Sequence, residues 1–479
     1  MDQTRNVFTD ADDESEIRSR YVQAGQEHVF QHYAQLSPTE RTSFLHQLRD
    51  IQVENVAILL KSAESIDQGE PTDETAIAPF PTNIVGRSTD ETLVRDSYTT
   101  GMEAIRKNQV ATLVLAGGQG TRLGFDGPKG MYSIGLPSER TLFAMMALRI
   151  RKLAALAGEE NVALPFYVMT SPLNHDATVA YFHSKEYFGL PESDVFFFQQ
   201  GTLPCLTKDG KIILERAGKV AVAPDGNGGI YPALQRSGAL QDMMTRGVRY
   251  LHVFSIDNAL IKPADPVFLG YCIGQGADCG NKVVWKSHAH EKVGVVASRG
   301  GKPCIVEYSE ITTEMAESTD DDGRLLFGAG NICNHFYTLD FLREKILPNM
   351  GNMYHIAHKK IPFYDAATQS TVAPTENNGI KLETFIFDVF PLSVNMAVFE
   401  IERSEEFSPV KNKAGSEADS PDTARAMASD QAKKWIKNAG GNLIGKVDDG
   451  VCEISPLTSY GGEGLEHYEG QDVACPFSL

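Results

Sequence analysis

The chain has 479 residues, 42% of them hydrophobic and 22% charged, which is ordinary globular composition at a length that exceeds one simple core and predicts two or three domains. The formal net charge of −19 excludes a duplex nucleic-acid binder, which needs a basic face to displace counterions, but leaves a nucleotide substrate open because only cations within about 8 Å act at physiological salt. No window approaches the roughly 18 continuous apolar residues of a membrane span, and the opening MDQTRNVFTDADDESE is polar and acidic, so a cytoplasmic protein without export or membrane insertion is expected.

The first hundred residues read as helices. Ser37, Pro38 and Glu40 form a capping box with proline at the first helical position, ahead of apolar Phe44, Leu45, Leu48 and Ile51. The polar stretch 64–75, ESIDQGEPTDET, reads as a loop or linker. From Val110 the pattern changes: VATLVLA is a short apolar run ending in glycines, as expected of a strand buried on both faces.

That strand runs into Gly117, Gly118, Gln119, Gly120, Thr121, Arg122, Leu123 and Gly124, and three residues later into Pro128, Lys129 and Gly130. Glycines let backbone N–H groups approach phosphate oxygens, and Arg122 and Lys129 add positive charge, which is anion-binding chemistry. A dinucleotide fingerprint needs a glycine where Leu123 stands, and a Walker loop needs Gly-Lys followed by Ser or Thr, so neither common nucleotide motif is present.

A helix follows with Phe143, Met146, Ile150 and Leu153 on one stripe, closed by Gly158. Further strand-like runs are PFYVMT (165–170), VFFF (195–198) and YLHVFSI (250–256). This alternation predicts an α/β fold, a mostly parallel sheet with helices on both faces, whose ligands sit beyond the carboxyl ends of the strands. Asp257 falls at such an end. A carboxylate beside phosphates is repulsive unless a cation lies between, so Asp257 is expected to ligate a metal. From about 390 the alternation weakens, and KNKAGSEADSPD (411–422) reads as a mobile loop before a final segment. Segments 1–105, 106–390 and 391–479 are the expected N-terminal helical, central catalytic and C-terminal domains. The seven cysteines show no CxxC pair and read as buried free thiols.

LAGGQGTRLGFDGPKG resembles the signature of the sugar-nucleotide pyrophosphorylases. FFFQQGTLP, APDGNGGIY, FSIDNAL, VEYSEI, GNICNHF, NGIKLETFIFD and EEFSPVKN are similar to segments of the eukaryotic UDP-N-acetylglucosamine pyrophosphorylases, in the same order over roughly 110–412. The resemblance implies a Rossmann-like nucleotidyltransferase sheet that joins UTP to N-acetylglucosamine 1-phosphate, or another N-acetylhexosamine 1-phosphate, and releases pyrophosphate with Mg²⁺, or alternatively Mn²⁺. It implies Arg122, Lys129 and Lys381 as the catalytic cations. Leu115, Ala116, Gly117, Gly118, Gln200 and Gly226 would hold the nucleotide together with Lys129, Lys381 and Asp257, the last as metal ligand. Asn227, Gly294, Glu307, Tyr308 and Asn331 would line the sugar, and Lys411 would face its phosphate. Cys333, inside GNICNHF, stands where the pattern carries a small residue.

Two rivals share the loop. A UDP-glucose or broad-specificity UDP-sugar pyrophosphorylase carries a histidine at the position of Asn227, followed after the next glycine by an acidic residue; Asn227, Gly228 and Gly229 stand here and favour an N-acetylated sugar. A catalytically inactive nucleotide-sugar sensor is expected to lack a phosphate-contacting cation or Asp257, and all are present. A dehydrogenase is disfavoured by Leu123.

Overall fold

The computed structural model describes residues 10–67, 77–158 and 162–479. They group into two compact units with interleaved segments: residues 10–67, 201–230 and 348–388 in the first, and 77–158, 162–200, 231–347 and 389–479 in the second.

The first unit packs the helices Asp10–Gln23, Pro38–Asp50 and Val53–Asp67 with short strands from far along the chain. Ser37 accepts from the Glu40 amide while Glu40 reaches back to the Ser37 amide, so the capping box forms as the sequence predicts. Phe44, Leu45, Leu48 and Ile51 are buried in one core with Leu206, Ile212, Leu214, Ile380 and Leu382. Two side-chain amides extend the strand ladders. Gln26 donates to the Gly210 carbonyl at 2.9 Å and accepts from the Ile212 amide at 2.9 Å, and Gln47 brackets Val220 in the same way. The strand Gly379–Glu383 lies between His355–Lys359 and Leu206–Thr207, antiparallel to both. Residues 64–67 of the expected linker complete the helix Val53–Asp67, and 68–75 lie outside the described residues.

The second unit is built on an 11-stranded sheet. In chain order its strands are β1 Ile77–Pro79, β2 Gly86–Arg87, β3 Val110–Leu115, β4 Phe166–Thr170, β5 Val195–Gln199, β6 Tyr250–Ser255, β7 Cys279–Trp285, β8 Val295–Arg299, β9 Lys302–Val306, β10 Ala329–Thr338 and β11 Met396–Ile401. The main order is β2-β11-β7-β10-β6-β3-β4-β5, with β1, β8 and β9 branching from β10. Along the main order neighbours are parallel except around β10, which is antiparallel to both β6 and β7, and the branch is antiparallel throughout, β8 pairing with β1, β9 and β10. The fold is thus α/β with a mostly parallel, mixed sheet flanked by helices. β3 and β4 are buried at every position, as their unbroken apolar runs require. β5 differs: Val195, Phe196 and Phe197 are half-buried because this strand ends the main order and has a neighbour on one side only.

These units cut across the three consecutive segments drawn from sequence. The helix Glu91–Arg106 joins the sheet-bearing unit because Gly101 and Gly270 allow backbone-close packing against Pro266–Gly274. A Cβ on Gly101 would sit 1.9 Å from the Pro266 carbonyl oxygen, and one on Gly270 would sit 1.8 Å from that of Ser97. A border between the units falls at 388/389, beside the expected 390/391, but 389–479 rejoins the sheet-bearing unit instead of standing alone, since β11 pairs in parallel with β7. The last residues hold a small core of Ile436, Cys452, Ile454, Leu465 and Val473 around the parallel pair Asn442–Gly445 and Asp472–Cys475. Residues 411–420 form an irregular loop that folds back on itself, the amides of Lys411 and Asn412 both donating to the Asp419 carbonyl, before the helix Pro421–Asn438. All seven cysteines are free, five of them buried. No helix among the described residues is long and apolar enough to cross a membrane.

Candidate active site

The site in the second unit starts where β3 ends. The Ala116 amide still donates to Met169 on β4 at 2.8 Å, after which the chain leaves the sheet. Buried Asn174 holds the departing backbone: its Nδ2 donates to the carbonyls of Ala116 at 2.9 Å and Gly118 at 3.2 Å. A Cβ on Gly117 would lie 2.4 Å from Oε1 of Gln200, so glycine is required for Gln200 to lie across the strand end. Gly118 is exposed, with nothing within 4 Å of its Cβ position, which leaves its backbone open to a ligand. Leu115, Ala116, Gly117, Gly118 and Gln200 therefore meet at one place.

The loop then doubles back. The Gly120 amide donates to Gly127, the Lys129 amide donates to Gly118 at 3.1 Å, and Gln119 bridges Pro128. Gly124, at φ +73°, closes the turn that carries Arg122. Lys129 is thereby delivered beside the end of β6, where its Nζ lies 3.8 Å from Oδ2 of Asp257. Ser255 donates a short hydrogen bond to the other carboxylate oxygen. Burial pushes the Lys129 ammonium below its ordinary pKa, Asp257 opposes that, and the charges of Lys411 and Arg122 add to the depression. Lys129 thus feels two further positive charges, those of the exposed Lys411 and Arg122, against the single carboxylate of Asp257, a repulsion that a polyanion would relieve. Cys333 borders the same space. It sits at φ +54° where β10 bulges opposite Asn281–Val283, and burial, with Asp257 nearby, pushes its thiol up to about 12.

Gly294, Glu307 and Asn331 are also brought together. The Asn331 amide donates to the Gly294 carbonyl at 2.8 Å, and a Cβ on Gly294 would lie 3.0 Å from the Glu307 carboxylate. Burial raises the Glu307 pKa, and nearby Glu310 adds to the rise. Asn331 Oδ1 accepts from Asn281 at 3.4 Å and from the Cys333 amide at 3.3 Å, which fixes how the amide points. Tyr308, just past β9, is 51% exposed.

Gly226, Asn227 and Lys381 belong to the first unit. Gly226 adopts φ +88°, and a Cβ there would strike the Thr384 carbonyl oxygen at 2.2 Å. Asn227 Oδ1 accepts from the Ile386 amide at 2.9 Å, so one of its lone pairs is committed to the fold, and its NH₂ end is the donor it can offer to a ligand. Lys381 lies on the strand Gly379–Glu383, close enough for its charge to lower the otherwise raised pKa of buried Cys205.

Among the described residues no group of three or more His, Cys, Asp or Glu side chains could hold a metal ion. A hard divalent cation fits Asp257 if phosphate oxygens and waters complete its octahedron: the carboxylate is 19% exposed and its contact with Lys129 is longer than a hydrogen bond. Sequence reasoning missed Asn174, Ser255 and Asn258. Asparagines and serines after strands are common turn residues, so no local signal marked them.

The chain matches the family model described as UTP–glucose-1-phosphate uridylyltransferase over residues 62–416. It is 43% identical to the UDP-N-acetylhexosamine pyrophosphorylase-like protein 1 of Homo sapiens, covering 97% of each chain. It is 40% identical to the UDP-N-acetylglucosamine pyrophosphorylase of Saccharomyces cerevisiae, covering 95% of this chain and 98% of that one. Among solved structures it is similar to the uridine diphosphate N-acetylglucosamine pyrophosphorylase of Trypanosoma brucei, with TM-score 0.84, 31% identity and coverage of 96% and 95% of the two chains.

Proposed function

The chain belongs to the UTP–glucose-1-phosphate uridylyltransferase family, and from that membership and the site we infer that it is a UDP-N-acetylglucosamine pyrophosphorylase. It converts UTP and N-acetylglucosamine 1-phosphate to UDP-N-acetylglucosamine and pyrophosphate. The observation that carries this reading is the Lys129–Asp257 pair beside the glycine loop, with the charges of Arg122 and Lys411 close enough to act on Lys129.

The nucleophile is a phosphate oxygen of the sugar phosphate. Its second pKa is about 6, so it is largely ionised at neutral pH and no protein base is needed. As that oxygen bonds to the α-phosphorus of UTP, the bond to the bridging oxygen breaks and the electron pair leaves with pyrophosphate. The barrier is dominated by bringing two polyanions together, so this chain's contribution is positioning and charge neutralisation. In this reading Leu115 to Gly118 and Gln200 hold the uridine end, and Lys129 and Arg122 meet the triphosphate. Lys411 meets the sugar phosphate, and Gly294, Glu307, Tyr308 and Asn331 line the sugar. Gly226, Asn227 and Lys381 enter through their motifs, with Lys381 as a further phosphate cation. Asp257 would hold Mg²⁺, which supplies charge neutralisation on the triphosphate when bound.

The reading is tested by pyrophosphate release with UTP and a panel of sugar 1-phosphates. Turnover should be highest with an N-acetylhexosamine 1-phosphate; a preference for glucose 1-phosphate would replace the sugar assignment, and no release with any of them would leave only a binding protein.

A further inference from the structure

Asn258, the neighbour of Asp257, is 3% exposed and uses both ends of its amide. Oδ1 accepts from the Ser408 amide at 3.0 Å and the Leu260 amide at 3.2 Å, and Nδ2 donates to the Glu406 carbonyl at 2.7 Å. The backbone continues the seam: the Ala259 amide donates to Ser408 at 3.1 Å and the Val410 amide donates to the Asp257 carbonyl at 2.8 Å. The turn bearing Asp257 and the segment bearing Lys411 are therefore zipped together with Asn258 in the middle. A buried ion cluster pins the far end of that segment. Lys282, fully buried, contacts Asp265 at 2.6 Å and Glu406 at 2.5 Å, and Lys262 approaches Glu406 at 3.7 Å.

We propose that Asn258 is a positioning residue for nucleotidyl transfer: it couples Asp257 to Lys411 so that the triphosphate side and the sugar-phosphate side of the site keep a fixed separation. The proposal rests on the assignment of Asp257 and Lys411 to the site. Asn258 touches neither substrate. Its amide satisfies two donors and one acceptor at once, which no smaller side chain at this position can do. Without it, one Val410 amide and one Ser408 carbonyl remain to hold Lys411 against the turn. Misplacement of a charged group by about 1 Å can cost two orders of magnitude in rate.

Asn258→Ala should lower kcat/KM at least tenfold and raise amide exchange across 406–411 at least tenfold. In a double-mutant cycle Lys411→Ala should cost far less on the Asn258→Ala background than on the parent, because Lys411 is already misplaced. A core truncation of matched melting temperature, Leu153→Ala, should leave kcat/KM and 406–411 exchange unchanged, which separates positioning from general damage. If Asn258→Ala does not fold, Asn258→Ser keeps the local bond to the Leu260 amide, cannot span to 406–408, and should show the same pattern more weakly. Full additivity with Lys411→Ala, or parent-like exchange across 406–411, overturns the proposal. A Lys411→Ala single variant with parent activity instead overturns the assignment of Lys411 and leaves Asn258 a structural residue.

Discussion

Lys129 Nζ and Asp257 Oδ2 face each other at 3.8 Å across the space between the glycine loop and the end of β6, close enough to attract and too far to hydrogen-bond. Asp257 is the attraction that opposes burial, Lys411 and Arg122 at Lys129. Asp257→Asn keeps the shape and removes the charge. We predict that it cuts turnover by orders of magnitude, raises the Mg²⁺ concentration needed for half-maximal rate, and leaves the circular dichroism spectrum intact. Near-parent turnover at low Mg²⁺ would remove Asp257 from the metal.

Lys129 makes a second, less obvious prediction. Its folded-state pKa lies below the ordinary value of 10.5, so the folded chain holds this proton less tightly than the unfolded one. The charged ammonium thus disfavours folding below its folded-state pKa, and the penalty fades as pH rises towards 10.5. Lys129→Met should abolish most activity while the ligand-free protein melts at the same or a higher temperature. Its stability should also rise less steeply with pH above neutrality. In calorimetry Lys129→Ala should weaken UTP more than the UDP-sugar if Lys129 meets the part of the triphosphate that leaves as pyrophosphate, and equal losses would contradict that placement. A clear loss of melting temperature in Lys129→Met would show that the cation supports the fold instead of straining it.

The buried cluster behaves in the opposite way. Burial opposes the charge on Lys282, but Asp265 and Glu406 outweigh it and raise its pKa; Asp265, likewise opposed by burial, is lowered by Lys282 and Lys262. The Asp265 contribution to stability is present above its unfolded pKa of about 3.8 and is lost as pH falls through the lower folded value. The Lys282 contribution is present below about 10.5 and is lost as pH rises through the higher folded value. Lys282→Met leaves Asp265 and Glu406 with Lys262 as their remaining counter-charge and should cost about 3 to 5 kcal/mol in urea titrations at neutral pH. The deficit should shrink towards pH 3. A deficit that is constant with pH would mean the cluster is not ionised as drawn.

What was legible in the sequence was local. The run Val110–Leu115, the capping box at Ser37 and the glycine loop each declare themselves within a few residues, because burial on both faces, a cap and close backbone approach constrain neighbouring side chains. The two-unit division was not legible, since Gly201–Ile230 and Pro348–Asp388 join the N-terminal helices through pairings such as Ile380 with Leu206, which leave no periodic trace. The antiparallel insertion of β10 escaped for the same reason. Asp257 was marked as a candidate by its place after an apolar strand, at the carboxyl edge of the sheet. Asn258 beside it was not, because its value lies in partners 148 and 150 residues away.

Sugar choice gives the last prediction, and the structure alters how it is best tested. Asn227 is assigned to the acetamido group, yet its Oδ1 already accepts from the Ile386 amide at 2.9 Å. Asn227→Ala would therefore remove a fold contact worth about 0.5 to 1.5 kcal/mol along with any sugar contact, and the two losses would be confounded. Asn227→Asp keeps the acceptor for Ile386 and removes only the NH₂ donor. Its added negative charge repels phosphate, but N-acetylglucosamine 1-phosphate and glucose 1-phosphate carry the same phosphate, so that penalty cancels in their ratio. What remains is the donor. A buried hydrogen bond lost with its partner left unpaired costs about 1 to 3 kcal/mol, or roughly five- to 150-fold. We predict that Asn227→Asp lowers kcat/KM for N-acetylglucosamine 1-phosphate at least tenfold relative to glucose 1-phosphate, at saturating UTP and Mg²⁺, while the melting temperature stays close to the parent. If both sugars lose equally, Asn227 only braces the Ile386 turn, and discrimination lies with Glu307, Tyr308 and Asn331.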